Sequence, residues 1–447
     1  MSLFDRITSR FNISETKRKI FRNLYWAVVG KVVTLLGALF VGILVARYLG
    51  PEQYGLMNYV ISYVALFQIL ASFGMDNIEI REMSRQDADT DVILGTAFRI
   101  KLVLALITMA LVIGTALIFE ADRFTVAMIA LYSLSIILNR FTVIRNYFTS
   151  IVWNEYIVKT EISRTLIGAG IKISLLLFKA PLWAFIAATT FDFALLSAGY
   201  VMAYRTKIGS MSLWRYDSTV AKYLLKQSFP LLLSGAAVIV YQRIDQVMIG
   251  NMIDKASVGQ FSIATKFSEI ILFIPTILAQ TITPILVQIR DRNKEEYRHK
   301  AQLFMNVSVW LCTFIAIAVA LCSYWLILWT FGERYMLAVP VLQIMAFKTV
   351  GNAMFQTSGQ MMIVENIQQL AVVRNVVGCV VCVGLNLLLI PLYGIKGSAF
   401  VTIATVFVSG FLVHLFIPRY RHLFVMQCRC LVFGIKDLFN VKVLFQR

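Results

Sequence analysis

In the stretch VIVYQRIDQVMIG (238–250) an arginine and an aspartate, Arg243 and Asp245, stand two residues apart near the end of a long apolar run. A charge at the centre of a bilayer costs roughly 2.5–3.5 kcal/mol on insertion scales. Side chains two residues apart on a helix do not face each other, so each of these charges needs a partner on another element. Arg243 lies seven residues short of Gly250, about 10 Å deep at about 1.5 Å of rise per residue. The next apolar run returns from Gly259, which brings Lys266 and Glu269 to a similar depth. Arg243, Asp245, Lys266 and Glu269 are therefore expected in one layer. Lys266 and Glu269 are also spaced i, i+3, as a pair on one helix face would be. Lys31 sits about 10 Å inside the opposite edge of the first run, and Lys348 and Asp192 lie near the middle of theirs. Asn58, Gln68, Gln242, Gln246, Gln356 and Gln360 add uncharged polar groups. Lys172, near the end of a run, is expected to extend its ammonium to the membrane surface.

Ionisable groups inside a membrane are functional candidates by default. Cations with amides around a wet cavity suit a ligand that is anionic and rich in hydroxyls. A hydrophobic cation would instead call for carboxylates and aromatic rings. His299, His414 and His422 fall at or near the ends of runs, which argues against a histidine proton relay at mid-membrane. No Walker A motif, HExxH or GxSxG occurs, so neither ATP-driven transport nor hydrolysis has its usual signature. The six cysteines lie in apolar runs or in the tail. Cys379-x-x-Cys382 has redox spacing but no βαβ setting, and all six are read as packing thiols with no metal role.

The elements that must position these residues are membrane helices. Of 447 residues, 59% are hydrophobic and 15% charged, against about 25% charged in soluble domains. Apolar runs of about 20 residues recur near 24–46, 54–73, 94–119, 124–147, 156–178, 181–203, 223–249, 259–289, 302–330, 336–363, 368–390 and 395–417. The fold class is therefore an all-α integral membrane protein of about twelve transmembrane helices. The first 22 residues are polar and basic, so the first apolar run is expected to stay as the first span. The net charge of +18 does not indicate nucleic acid, because the cations lie outside the spans and follow topology. Clusters such as Lys17, Arg18, Lys19 and Arg22, or Arg290, Arg292, Lys294 and Arg298, alternate with loops holding about one cation each. Both termini are therefore expected in the cytoplasm, with the cations facing anionic lipid.

A shift of 204 residues lays Gly55 in ARYLGPEQYGLMNY on Gly259 in GNMIDKASVGQFSI. Six spans per half enter from the same side, which predicts two six-helix lobes related by a pseudo-two-fold axis along the membrane normal. The domains follow: a basic cytoplasmic segment 1–23, an N-lobe 24–204, a cytoplasmic linker 205–222, a C-lobe 223–418 and an amphipathic cytoplasmic tail 419–447. The tail is expected on the inner leaflet, and its closing VLFQ resembles a protease-tag scar. Pro275 and Pro284 fall inside the eighth run and are expected to kink it.

At RYLGPEQYGLMNYVISY, FGMDNIEIREMSR and YQRIDQVMIG the chain resembles the Wzx-type flippases of O-antigen and other lipid-linked oligosaccharides. These belong to the multidrug/oligosaccharidyl-lipid/polysaccharide exporter superfamily. The resemblance covers essentially the whole chain. It implies a non-enzymatic transporter that moves undecaprenyl-diphosphate-linked oligosaccharide from the inner to the outer leaflet of the bacterial cytoplasmic membrane. It also implies alternating access driven by a proton or sodium gradient, with no bound cofactor. Membrane lipids and polysaccharide polymerase or assembly proteins are the implied partners, and nucleic acid is not. By position, Arg243 and Lys31 become candidates for the diphosphate, with Lys266, Lys348, Asn58, Gln68, Gln242 and Gln246 around the ligand. Asp245, Glu269 and Asp192 become candidates for ion coupling. A drug or metabolite antiporter of the same superfamily is the alternative. Its cavity would be dominated by carboxylates.

Overall fold

The structure is a computed structural model that describes the backbone of residues 15–367 and 370–439, and side chains within 33–437 apart from 273, 280, 281, 368 and 369. Among the described residues there is no strand. Backbone groups in hydrocarbon must be satisfied within their own segment, which leaves the helix as the one local solution for apolar runs of this length.

Helix α1 (Glu15–Ser72) is broken at Gly50, whose φ of 72° and ψ of 175° end one helix and start the next at Pro51. The short α2 (Asp76–Met83) is followed by α3 (Thr90–Phe119), α4 (Arg123–Leu138), α5 (Thr142–Ser150), α6 (Asn154–Leu177) and α7 (Leu182–Lys207). Then come α8 (Ser218–Met252), α9 (Lys255–Ile271), α10 (Phe273–Arg290) and α11 (Lys294–Thr330). Next are α12 (Ala338–Met345), α13 (Lys348–Val364), α14 (Ala371–Phe407), α15 (Val413–Phe416) and α16 (Arg421–Phe433). Each of the twelve expected runs falls on helix. Among the described residues, nine helical stretches are long and apolar enough to cross a membrane. Two of them, Val33–Met83 and Ala371–Phe416, each hold two expected spans. Helix α6 lies outside those nine because it carries Glu155, Lys159, Glu161, Arg164 and Lys172.

Turn chemistry sets the boundaries. Asp89, Asp122, Asp254 and Asn293 cap α3, α4, α9 and α11 by accepting from backbone N–H groups of the first turn. The break between α9 and α10 falls just past Ile271, whose carbonyl is the one that Pro275 cannot hydrogen-bond. Pro284 lies within α10.

The chain forms two compact units. The first contains Met1–Tyr48 and Phe67–Leu232, the second Leu49–Leu66 and Leu233–Arg447. The stretch 49–66 thus packs with the C-terminal half of the chain, although by chain order it follows the first span. The polar stretch 205–222 packs in the first unit. There Trp214 donates to Tyr204 Oη at 3.0 Å and meets the Phe98 ring at 5.4 Å, while Asp217 N donates to Thr96 Oγ1 at 3.0 Å.

In the second unit Gly55 and Gly259 face each other. A Cβ on Gly55 would stand 2.8 Å from the Gly259 nitrogen, and a Cβ on Gly259 would meet the Pro51 backbone. The two glycines that align between the halves are therefore the contact points of two helices whose backbones touch.

Candidate functional site

Helix α8 carries Gln242, Arg243, Asp245 and Gln246 on successive faces, and their surroundings differ accordingly. Asp245 is 3% exposed. Its Oδ1 accepts from Asn386 Nδ2 at 2.7 Å and from Cys382 Sγ at 3.3 Å, and its Oδ2 accepts from Thr402 Oγ1 at 2.9 Å. All three donors are neutral and all come from α14. Cys382 and Asn386 are i, i+4 in its first half, and Ser398 and Thr402 are i, i+4 in its second. The halves are separated at Gly394, whose φ of 58° and ψ of −141° suit a residue without a side chain. That break lets two polar edges of one apolar helix converge on a single carboxylate. Asn386 Oδ1 and Ser398 Oγ are buried with no hydrogen-bond partner among the described residues. The cluster thus offers a carboxylate, an amide oxygen and hydroxyls, which are donors suited to a hard monovalent cation or a proton.

Beside it, Gln246 is buried and its Oε1 accepts from Ser62 Oγ at 2.6 Å. Arg243 is half-buried, and its Nη2 lies 3.7 Å from Glu269 Oε1. Lys266 places its ammonium 5.0 Å from the centre of the Tyr54 ring. The expected i, i+3 pair of Lys266 with Glu269 is therefore replaced: Glu269 turns to Arg243, and Lys266 stands over an aromatic face. Lys348, at the start of α13, interacts electrostatically with Asp245, Glu269 and Arg243. Arg243, Asp245, Glu269 and Lys348 thus form one charged neighbourhood, with Gln246 on its flank and Lys266 near by. Gln242 is exposed, and Asn58 donates to Tyr54 O at 2.7 Å, back into its own helix.

The other expected residues lie elsewhere. Gln68 is half-buried in the first unit. Asp192, also there, pairs with Lys172 Nζ at 2.5 Å, both side chains being largely buried. Lys172 therefore does not reach for the membrane surface as expected, because a carboxylate one helix away is the nearer partner. Lys31 is in α1, but its side chain lies outside the described residues.

One polar cluster escaped the sequence reading. Lys101, on α3, meets Asp76 Oδ1 at 2.8 Å and Glu79 Oε1 at 2.8 Å, and its side chain is 2% exposed. Asn146 Nδ2 donates to the same two carboxylates at 2.8 and 2.7 Å. The signal was present: one lysine in an apolar run, and two acids at i, i+3 in FGMDNIEIREMSR. Asn386 is likewise a lone amide within CVVCVGLNLLLIP, whereas Thr402 carries no local signal.

A family profile described as polysaccharide biosynthesis protein matches residues 44–340. A search of the curated proteins gives no match. Several solved structures share the fold. A multidrug resistance MATE family transporter of the MOP superfamily, in its inward-facing conformation, aligns with a TM-score of 0.66 and 16% identity over 88% of this chain and 95% of that one. The lipid II flippase MurJ, in an inward closed conformation, aligns with a TM-score of 0.70 and 13% identity over 93% of each chain. The MATE multidrug transporter DinF-BH, in complex with R6G, gives a TM-score of 0.62 and 16% identity over 91% and 96%. These relatives in fold are transporters.

Proposed function

Because the chain belongs to the polysaccharide biosynthesis protein family whose profile spans 44–340, we propose that it is a flippase for undecaprenyl-diphosphate-linked oligosaccharide. It carries the head group from the cytoplasmic to the outer leaflet of the bacterial cytoplasmic membrane by ion-coupled alternating access. Both termini face the cytoplasm in this reading. Uncatalysed movement is too slow to serve. Each sugar hydroxyl costs about 4–8 kcal/mol to bring unpaired into hydrocarbon, and a barrier of about 30 kcal/mol allows only about 10⁻⁹ events per second.

The observation that carries the reading is the charged neighbourhood on α8, α9 and α13. Arg243 and Lys266 are held by weak partners, an exposed carboxylate at 3.7 Å and an aromatic face at 5.0 Å. Both can therefore turn to a diphosphate, where a phosphate at about 4 Å from a cation is worth about 4 kcal/mol at an effective dielectric of about 20. Gln242, exposed on the same helix as Arg243, adds an amide to the ligand's surroundings in this proposal. Asp245 with Asn386 and Thr402 receives the coupling ion. Lys348 feels both Asp245 and the Arg243–Glu269 pair. Ion occupancy at Asp245 thus changes the field at Arg243, and the two ligands must alter each other's affinity by the same factor.

The test is head-group movement in proteoliposomes with a fluorescent undecaprenyl-diphosphate oligosaccharide, with and without a sodium or proton gradient. Movement lost in Arg243→Ala supports the assignment, and movement retained rejects it. The second reading, a drug or metabolite antiporter, is favoured by the MATE fold likeness. Uptake of a small organic cation without head-group movement would establish it instead.

A further inference from the structure

Away from the Asp245 neighbourhood, the second unit has a cavity of about 1250 Å³ at the end of its helices where α10 closes, α11 opens and α16 crosses. Its lining includes Lys294, Arg298, Arg419 and Arg429. No ion pair among the described residues reaches any of these four. Two acids share the lining, Asp291, which is exposed, and Glu365. Glu365 is already engaged, accepting from His422 Nε2 at 2.8 Å and from Tyr297 Oη at 2.9 Å, so the cations outnumber the acids free to meet them. The same wall carries Val425, and α16 continues it with Val432 and Phe433, which are 67% and 66% exposed. Val425, Arg429 and Val432 are spaced i, i+4 and i+7, so one helix face runs from the cations to bare hydrocarbon.

We propose that this cavity binds the phosphate-bearing headgroup of a net anionic membrane lipid. Guanidinium groups match phosphate oxygens in pairs, and a cluster of them captures a phosphate diester more selectively than a diffuse positive surface does. The exposed apolar face at the mouth supplies what the lipid's acyl chains require and a soluble phosphate does not. The inference rests on the membrane-spanning fold and is independent of which substrate is flipped.

Native mass spectrometry of the full-length protein in detergent tests it, with phosphatidylglycerol and phosphatidylcholine of identical chains as probes. Wild type should retain phosphatidylglycerol preferentially. Arg298→Gln/Arg419→Gln/Arg429→Gln should weaken that binding roughly a hundredfold, at about fivefold per cation. The corresponding triple lysine variant should stay within about tenfold of wild type, which decides the matter even if the glutamine variant does not fold. Arg292→Gln, a neighbouring exposed cation outside the cavity lining, should change nothing. Equal loss in Arg292→Gln, or full binding in the glutamine variant, overturns the proposal in favour of a general surface potential. Displacement of the lipid by inorganic pyrophosphate at tenfold excess overturns it in favour of a soluble phosphate ligand.

Discussion

Lys101 in the first unit and Asp245 in the second are both buried on helices that cross the apolar layer, yet their partners are of opposite kinds. Lys101 is surrounded by two carboxylates, and Asn146 ties those carboxylates to each other. Asp245 is held in direct contact by an amide, a thiol and a hydroxyl, with Lys348 acting from farther away. A charge enclosed by its own counter-charges has no reason to exchange them. A charge held by neutral donors, beside buried oxygens that have no partner among the described residues, is the one that an external cation can stabilise. The first cluster therefore works as a lock between helices, and in our proposal the second is the place where an ion comes and goes.

The comparison breaks most visibly if the lock is not a lock. Lys101→Met leaves Glu79 buried without its cation, and removing one partner of such a pair costs about 3–5 kcal/mol. The expected result is a large fall in Tm in detergent. A Tm within a degree or two of wild type would mean that the cluster is solvated and free to titrate. Asp245→Asn is the contrasting case. It keeps one acceptor oxygen for Asn386, and its amide can donate to Thr402 Oγ1, whose hydroxyl still donates to Ser398 O, so stability should change by less than about 1 kcal/mol. Gradient-driven flipping should fall on the order of a hundredfold, equivalent to about 2.7 kcal/mol. If Asp245→Asn unfolds the protein as Lys101→Met does, the two sites are alike and the ion role fails. Gly259→Ala inserts a methyl into a backbone–backbone contact with Pro51 and should cost about 1–3 kcal/mol, measurable as a lowered midpoint in thermal unfolding.

The smallest effect sharpens the comparison at a half-buried site outside the apolar layer. Glu365 lies outside the spans. Burial pushes its carboxyl up, but the hydrogen bond and charge of His422, with Tyr297 and Arg290, bring it below the ordinary range. A depressed carboxylate stabilises the fold at pH values above its unfolded pKa and loses that contribution as pH falls through the folded one. Glu365→Gln should therefore cost about 0.5 kcal/mol at neutral pH and nothing in acid. A cost independent of pH would show that the carboxylate's charge is not what matters.

The sequence alone settled where the chain crosses the apolar layer. Hydrocarbon forces each segment to satisfy its own backbone, so twelve apolar runs had to become helices whatever their neighbours were. Proline placed the α9–α10 break for the same local reason, whereas the glycines at 55 and 259 aligned between the halves without foretelling that their backbones touch. The charged layer of Arg243, Asp245 and Glu269 was legible from depth along α8 and α9, since helical rise is fixed. Partner choice was not legible, because it depends on which helices stand side by side. Lys172 met Asp192, Glu269 preferred Arg243 to Lys266, and Asp245 found Asn386 and Thr402 far away in the chain. Only the tertiary structure could decide these pairings. A buried charge takes whatever donors packing brings within about 3 Å, and sequence spacing says nothing about which separate helices pack side by side.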